Sequence, residues 1–244
     1  MNYRGLNIPR ASMGGRMTTD DLFGPNEQVI FDFYEANRDR YRRAADVGAN
    51  VGVHSILMAH MGWEVWAYEP DPGHFIELRK NLTSHGFVMS IGTGGSVATT
   101  CAAVSDRGGI AKFVRVLNNL TGNHLVGAKD SYGPREEIAV STVDCRPIFA
   151  WADFVKVDCE GHEAVIIEAL PALTWEDTDC LLEVGSLHSA SIIHSRLRDV
   201  VPMWAQHRGW GRVQNLRDMP QRHQDGSLFI GRDPPFGREH DQSR

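Results

Sequence analysis

Two neighbouring stretches constrain the fold more than any other part of the chain: residues 44–52 read AADVGANVG, and residues 68–72 read YEPDP. The first stretch predicts a short buried strand, a sharp glycine turn and the start of a helix. A second strand follows at 64–68 and ends on Glu69. Apolar residues recur on one face of the helix at the i, i+3, i+4 and i+8 spacing, namely Val53, Ile56, Leu57 and Met61. The pattern therefore predicts a β–α–β unit of an α/β domain.

The glycine turn predicts a nucleoside site. Gly48 and Gly52 lack a Cβ atom where a ligand must approach the backbone closely. The helix that begins near Val51 directs its free N–H groups and the positive end of its dipole at the turn. Glu69 follows Gly48 by 21 residues, which is where a nucleoside-binding α/β unit places an acid for the ribose hydroxyls. We therefore expect a nucleoside cofactor across the ends of two adjacent strands.

The residues of the turn also discriminate between cofactors. The turn reads Gly48-x-Asn50-x-Gly52, which does not match the G-x-G-x-x-G pattern of dinucleotide sites. The carboxylate of Asp46 would repel a pyrophosphate, but it suits a ligand with an ammonium group and no phosphate. S-adenosylmethionine (SAM) is such a ligand. A nucleotide-dependent oxidoreductase with the same type of sheet is the alternative.

Four blocks of sequence, in order, resemble the FkbM family of SAM-dependent methyltransferases: DVGANVG at 46–52, EPDP at 69–72, STVD at 141–144 and VKVDCEGHE at 155–163. The similarity extends from about Ala44 to Leu170, with a looser match through Phe229. The resemblance implies a class I, Rossmann-like fold, SAM as the cofactor, and O-methylation of a hydroxyl group on a small-molecule, natural-product or glycan acceptor.

The turn and the resemblance together predict the cofactor site. A third strand, expected at 97–103, would end next to the adenine. The predicted cofactor-binding residues are Asp46, Gly48, Ala49, Asn50, Gly52, Ser55, Glu69, Pro70, Ala103 and Asp158.

The acids that end the predicted strands are candidates for the chemistry, because ligands of open α/β sheets bind outside the carboxyl ends of the strands. The predicted catalytic residues are Asp158, Glu160 and His188, the last as a candidate base with a near-neutral pKa. A helix cap is the structural alternative for Asp158. Asp158 and Glu183 could also hold Mg²⁺. The sequence lacks a paired acid and amide after the fifth strand, so we predict no required metal.

The order of the elements predicts a doubly wound, mostly parallel sheet of the seven-strand type. An antiparallel C-terminal edge would pair 211–215 with 227–230, after a helix at 192–207. The predicted organisation is an N-terminal arm and helix (1–43), a methyltransferase domain (44–232) with a β insertion at about 107–143, and a C-terminal tail (233–244). The arm is either a loose tail or a flap over the substrate.

Composition limits the partners of this 244-residue chain. The formal charge is −6, from 25 basic and 31 acidic residues, and no basic stripe is present, which argues against nucleic acid. No apolar run approaches the ~20 residues that span a bilayer, which argues against a membrane segment.

The four cysteines form no C-x-x-C pair, so we expect reduced thiols and a cytoplasmic location. A non-catalytic SAM-fold module is disfavoured, because Glu69 and Asp158 are both present. We make no prediction of oligomeric state.

Overall fold

The computed structural model describes residues 2–3, 6–7, 24–87, 96–117, 122–129 and 133–237. Its helices are α1 (Pro25–Ala36), α2 (Val53–His60), α3 (Pro72–Ser84), α4 (Cys145–Trp151), α5 (Glu163–Ala169) and α6 (Leu187–Leu197). Its strands are β1 (Asn2–Tyr3), β2 (Leu6–Asn7), β3 (Arg43–Val47), β4 (Glu64–Tyr68), β5 (Val97–Thr100), β6 (Ala103–Ser105), β7 (Gly109–Val116), β8 (His124–Leu125), β9 (Arg135–Asp144), β10 (Phe154–Val157), β11 (Asp179–Glu183), β12 (Met203–Ala205), β13 (Gly211–Arg212) and β14 (Ser227–Ile230). Most of the predicted arm and the end of the predicted tail lie outside the described residues.

The central sheet of the described chain has eight strands in the order β13-β12-β14-β11-β10-β3-β4-β5. The five strands from β11 to β5 are parallel, whereas β14, β12 and β13 are antiparallel to their neighbours. This arrangement confirms the predicted doubly wound, mostly parallel sheet with an antiparallel C-terminal edge. The strand β3, which leads into the glycine turn, lies in the middle of the sheet, between β10 and β4.

Successive side chains of a strand point to opposite faces of the sheet, so the buried apolar residues form one layer on each face. Val155 and Val157 of β10 pack on the side covered by α4, α5 and α6, in a cluster that includes Ile148 and Ile193. Phe154 of the same strand packs on the other face, with residues of α1, α2 and α3. Both layers are closed by fully buried aromatic or branched side chains, so the sheet holds its strand ends rigidly.

The C-terminal edge differs from the sequence-based expectation in two ways. The helix predicted over 192–207 ends at Leu197, and Met203–Ala205 is the strand β12. Pro202 cannot donate a helical hydrogen bond, and the apolar residues that follow it gain partners by pairing with β14. The pairing predicted between 211–215 and 227–230 is therefore wrong, because β12 lies between β13 and β14.

The predicted β insertion forms a second sheet, with the order β6-β9-β7-β8 among the described strands. Its two long strands, β7 and β9, pair antiparallel. The predicted third strand at 97–103 is divided, since β5 ends at Thr100 and Ala103 begins β6 in the second sheet. A bidentate ion pair connects the two sheets, because Arg115 of β7 donates to both carboxylate oxygens of Asp71 at 2.7 and 3.0 Å.

Asp71 also caps the start of α3. Its Oδ1 accepts hydrogen bonds from the backbone N–H groups of Gly73 and His74, and Pro72 occupies the first helical position. One carboxylate therefore caps a helix of the central domain and anchors the insertion.

We expect Gly48→Ala to destabilise the protein by about 3 kcal/mol or more. Gly48 has a φ of +83°, and a Cβ atom there would lie 1.9 Å from the carbonyl oxygen of Asp158. Gly62→Ala is the matched control, because Gly62 has a φ of +90° and a Cβ atom there would meet no other atom within 4 Å. The control should lose only about 1–2 kcal/mol, the cost of a left-handed alanine. Denaturant unfolding of both variants measures the difference, and equal losses would show that the close approach to Asp158 is unimportant.

Candidate active site

An open cavity of about 540 Å³ lies at the carboxyl ends of the parallel strands. Of the residues predicted from sequence, Gly48, Ala49, Asn50, Glu69, Pro70, Ala103, Asp158 and Glu160 line it. Four others, Asp46, Gly52, Ser55 and His188, are not part of its lining. The cavity therefore brings together the turn, the acid after β4 and the acids after β10, as expected for a ligand site in an open α/β sheet.

The turn after β3 is held by its neighbouring strands. The backbone N–H groups of Gly48 and Ala49 both donate to the carbonyl of Tyr68, at 3.0 and 2.9 Å. Gly48 and Asn50 have left-handed φ values of +83° and +50°. Glycine is required at 48, because the backbone after β10 passes too close to leave room for a side chain. The turn therefore presents its backbone directly to the cavity.

Glu69 is a buried acid at the cavity wall. Its Oε2 accepts a hydrogen bond from the backbone N–H of Asn50 at 2.8 Å, and its Oε1 accepts one from the backbone N–H of Asp71 at 2.8 Å. Burial raises the pKa of Glu69 to about 8, although these two hydrogen bonds act in the opposite direction. This carboxyl group is held between the glycine turn and the start of α3, the position in which the sequence predicted a ribose-binding acid.

Asp46, Gly52 and Ser55 lie behind the turn instead of at the cavity surface. Asp46 is fully buried, and its Oδ2 accepts a 2.6 Å hydrogen bond from the hydroxyl of Ser55. Gly52 packs against Leu78, whose side chain would be 2.4 Å from an added Cβ atom. Strand alternation points the Asp46 side chain at α2 and away from the cavity. All three predicted cofactor residues therefore support the turn from behind.

Lys156 and Asp158 form an ion pair at the cavity wall, in which the lysine is buried and the carboxylate is partly exposed. Lys156 is only 5% exposed, and its Nζ lies 3.1 Å from Oδ2 of Asp158. Lys156 is also directly opposite Asp46 in the register of β10 and β3. Burial opposes the charge of Lys156, but Asp158, Asp46 and Glu27 outweigh it and raise the pKa of the ammonium group. Burial also opposes the charge of Asp158, whereas Lys156 holds the pKa of that carboxyl below its usual range.

Glu160 forms a second ion pair, with Lys129 of the insertion. Glu160 has a left-handed φ of +54°, which is uncommon for a residue with a side chain. The next residue, Gly161, leaves no room for a Cβ atom, since the carbonyl oxygen of Ala128 would lie 2.6 Å away. Burial and the nearby charge of Asp158 raise the pKa of Glu160. The loop after β10 is therefore clamped against the insertion, which forms one wall of the cavity.

The structure brings a histidine to the cavity that the sequence patterns did not identify. His188 is exposed in the first turn of α6, whereas His223 lines the cavity beside Glu183. Nδ1 of His223 lies 2.8 Å from Oε1 of Glu183. The prediction for His188 relied on its closeness in sequence to β11, but the start of α6 carries it away. The antiparallel pairing of Glu183 with Ser227 of β14 brings the loop that carries His223 back to the end of β11.

The N-terminal helix supplies another pair that the sequence patterns did not assign to the site. Glu27 of α1 and His54 of α2 both line the cavity, and Oε1 of Glu27 is 2.7 Å from Nε2 of His54. The hydroxyl oxygen of Tyr34 is 2.9 Å from the other ring nitrogen of His54. Burial opposes the charge of Glu27, but His54 keeps the pKa of this carboxyl below its usual value. The α1 helix is thus part of the site.

The remaining wall is apolar and belongs to the insertion and the segment before it. It is formed by Ala102, Ala103, Val104, Phe113 and Leu125. An apolar surface beside a buried acid suits the flat base and the hydroxyl-bearing sugar of a nucleoside. The residues present therefore fit a nucleoside cofactor.

Other ligands find less support in the described part of the chain. No group of three or more His, Cys, Asp or Glu side chains there has a metal-binding arrangement. No helix in the described ranges is both long enough and apolar enough to cross a bilayer.

Comparison with known proteins gives one family match. The family model described as "Methyltransferase FkbM domain" matches residues 46–199, more than half of the chain. A comparison with curated protein sequences gives no significant match.

Solved structures with a related fold include two methyltransferases. Precorrin-6y C5,15-methyltransferase from Geobacter metallireducens GS-15 is 14% identical, with 90% of this chain and 96% of that chain covered and a TM-score of 0.44. Magnesium protoporphyrin IX methyltransferase from Synechocystis PCC 6803, solved with bound SAM, is 11% identical, with coverage of 84% and 77% and a TM-score of 0.43.

We expect Lys156→Met to destabilise the fold by about 3–5 kcal/mol, because it leaves Asp158 and Asp46 as buried carboxylates without their cation. The double variant Lys156→Met/Asp158→Asn removes one of these charges and should be more stable than the single variant. Denaturant unfolding at neutral pH measures both. Equal stability of the single and double variants would contradict a role for Lys156 as the countercharge of Asp158.

Proposed function

Because the chain belongs to the FkbM methyltransferase family and is a SAM-dependent methyltransferase, we propose that it O-methylates a hydroxyl group of a small-molecule or glycan acceptor. The observation that carries the proposal is the group of carboxylates on the cavity wall, Asp158, Glu160 and Glu183. Carboxylate oxygens accept hydrogen bonds from hydroxyl groups and can orient them. Glu69 lies on the same cavity, so one cavity offers contacts for both a nucleoside and a polar acceptor.

SAM, when bound, supplies a methyl group activated by its attachment to a sulfonium sulfur. The residues that would hold it are Glu69, which offers a carboxylate to the ribose hydroxyls, and the turn from Gly48 to Asn50. Phe113 and Leu125 would contact the base. We infer that Asp46, Gly52 and Ser55 contribute to cofactor binding indirectly, by fixing the turn.

The role we assign to Asp158 is to orient the acceptor. Methyl transfer needs little from the protein beyond correct alignment of the two reacting groups and removal of a proton. Lys156 keeps Asp158 ionised, so this carboxylate is a strong hydrogen-bond acceptor but a weak proton acceptor. Glu160 offers a second hydrogen-bonding group from the same loop.

We assign no step to Mg²⁺. Asp158 and Glu160 are neutralised by Lys156 and Lys129, so these acids already have countercharges. The four cysteines are free thiols, which supports our proposal that the reaction takes place in a reducing compartment such as the cytoplasm.

The reaction itself can be tested with SAM labelled in its methyl group and a panel of sugars, glycosides and phenolic or aliphatic alcohols. The expected product is a methyl ether, identified by mass spectrometry and by the chemical shift of the new methyl group. Amines of matched size are the control acceptors. Transfer to nitrogen or carbon, with no ether formed, would overturn the proposed O-methylation.

We expect Glu69→Ala to weaken SAM binding by about 1–3 kcal/mol, since it removes a buried hydrogen-bonding group from the proposed ribose site. Glu168→Ala is the control, because Glu168 is exposed on α5 and lies outside the cavity. Isothermal titration calorimetry with SAM and with NAD provides the measurement. Unchanged SAM affinity in the Glu69 variant would show that this acid does not contact the cofactor.

We expect Asp158→Asn to lower turnover by about 10²-fold at saturating SAM, because small errors in alignment of the acceptor have large effects on rate. Thermal unfolding of the same variant separates this effect from the loss of the Lys156 ion pair. Asp199→Asn, on an exposed carboxylate, is the control. Near wild-type turnover in Asp158→Asn would mean that the carboxylate has only a structural role.

A further inference from the structure

We propose that Glu183 and His223 form the general base of the reaction: Nε2 of His223 receives the proton of the acceptor hydroxyl, while Glu183 holds the opposite ring nitrogen. The proposal rests on the proposed O-methylation. It assigns a catalytic role to His223, a residue that the sequence patterns do not identify, and a positioning role to Glu183.

The geometry of the pair is that of an oriented base. Glu183 ends β11, and its Oε1 lies 2.8 Å from Nδ1 of His223. Both residues line the cavity, as does Asp158. A carboxylate bound to one imidazole nitrogen fixes the tautomer and leaves the other nitrogen to accept a proton. Glu183 is the hydrogen-bond partner of this ring among the described residues.

The backbone provides a place for the imidazole ring. A Cβ atom on Gly185 would lie 2.5 Å from Cε1 and 2.6 Å from Nε2 of His223, so only glycine leaves room for the ring. Gln206 accepts a 2.8 Å hydrogen bond from the backbone N–H of Ser227 and so anchors the end of the loop that carries His223. The ring position therefore depends on the space at Gly185 and on this anchored loop.

The other acids of the cavity are less suited to take a proton. Asp158 is held ionised by Lys156, which makes it a weak base. Glu160 is bound to Lys129. His223 is about half exposed, so a proton that it accepts has a direct route to solvent. Of these groups, only the Glu183–His223 pair combines a free proton-accepting atom with access to water.

The charges around the pair predict the pH at which it can act. Burial, and then the charge of Asp158, raises the pKa of Glu183 to about 8, and the hydrogen bond to Glu183 raises the pKa of His223. A raised pKa means that the pair keeps a proton at lower pH and is free to accept one only above this range. Turnover should therefore rise with pH through a range above the ordinary imidazole pKa of about 6.5. The charged groups that face the pair from neighbouring elements are Glu27, Lys129, Lys156, Asp158 and Glu160.

The proposed step conserves atoms and charge. The acceptor oxygen loses its proton to Nε2 of His223 and uses the freed electron pair to form a bond with the methyl carbon. The bond from that carbon to sulfur breaks, and its electron pair stays on sulfur. The products are a methyl ether, S-adenosylhomocysteine and an imidazolium ion, which then releases its proton to solvent.

Two measurements test the proposal, and the first needs no acceptor or cofactor. Nuclear magnetic resonance titration of the imidazole signals should give His223 a pKa above the ordinary 6.5 in the wild-type protein, and a lower one in Glu183→Gln. His188, which is exposed and outside the cavity, serves as the internal reference. A His223 pKa that does not respond to Glu183→Gln would overturn the proposal, because the pair would then not exist in solution.

The second measurement is the pH dependence of turnover on a hydroxyl acceptor at saturating SAM. We expect His223→Gln to lose about 10²-fold or more in turnover, with SAM affinity unchanged. Glu183→Gln should move the rising limb of the profile to lower pH. Gly185→Ala should reproduce the His223 defect without removing a functional group, because its methyl group displaces the ring. His188→Ala is the control and should match the wild type.

The outcomes separate this proposal from the one on which it rests. Full turnover in His223→Gln, or a large loss in His188→Ala, would overturn the assignment of the base and leave O-methylation intact. A wild-type enzyme that methylates no hydroxyl would overturn both.

Discussion

The site depends on the buried ammonium group of Lys156. It lies between Asp46, which supports the glycine turn, and Asp158, which faces the cavity. A carboxylate buried without a partner would take up a proton or destabilise the fold. Lys156 therefore offers a countercharge to acids carried by two adjacent strands, one behind the turn and one on the cavity wall. The glycine turn and the carboxylate of Asp158 are thus linked through one side chain.

The cavity wall carries a series of such pairs, each built from a different part of the chain. Lys156 and Asp158 come from β10 and the loop that follows it, whereas the histidines that face Glu27 and Glu183 come from α2 and from the loop before β14. Lysine partners stay charged over the whole physiological pH range, whereas histidine partners change their charge within it. The site therefore combines permanently ionised groups with groups that can exchange protons.

The sequence predicts the parts of the fold that arise from local pattern. The turn at Gly48 and the acid at Glu69 both follow from short-range spacing, and the structure has both in the expected places. The strand at Met203–Ala205 escaped prediction, because its residues also fit a helical period and only the pairing with β14 decides between the two.

The residues of the site could likewise be predicted only where they follow from local sequence pattern. Acids that directly end a strand could be placed at the cavity, because the direction of the chain at a strand end is fixed by the sheet. The position of His223 could not be predicted in this way. The chain comes back to the end of β11 through an antiparallel strand and places a residue 40 positions after Glu183 beside it, in the space left by Gly185. Nearness in sequence favoured His188, but α6 begins there and turns its first residues to solvent.

The insertion contacts the site at two separated points. Arg115 holds Asp71, whose backbone N–H binds Glu69, and Lys129 holds Glu160 in the loop after β10. The same small sheet thus supports the cavity wall both beside Glu69 and beside Glu160, while the eight-stranded sheet keeps its own cores. Substitutions in this sheet can reshape the pocket without disturbing the scaffold, which makes it the segment through which related enzymes could diverge in acceptor preference during evolution.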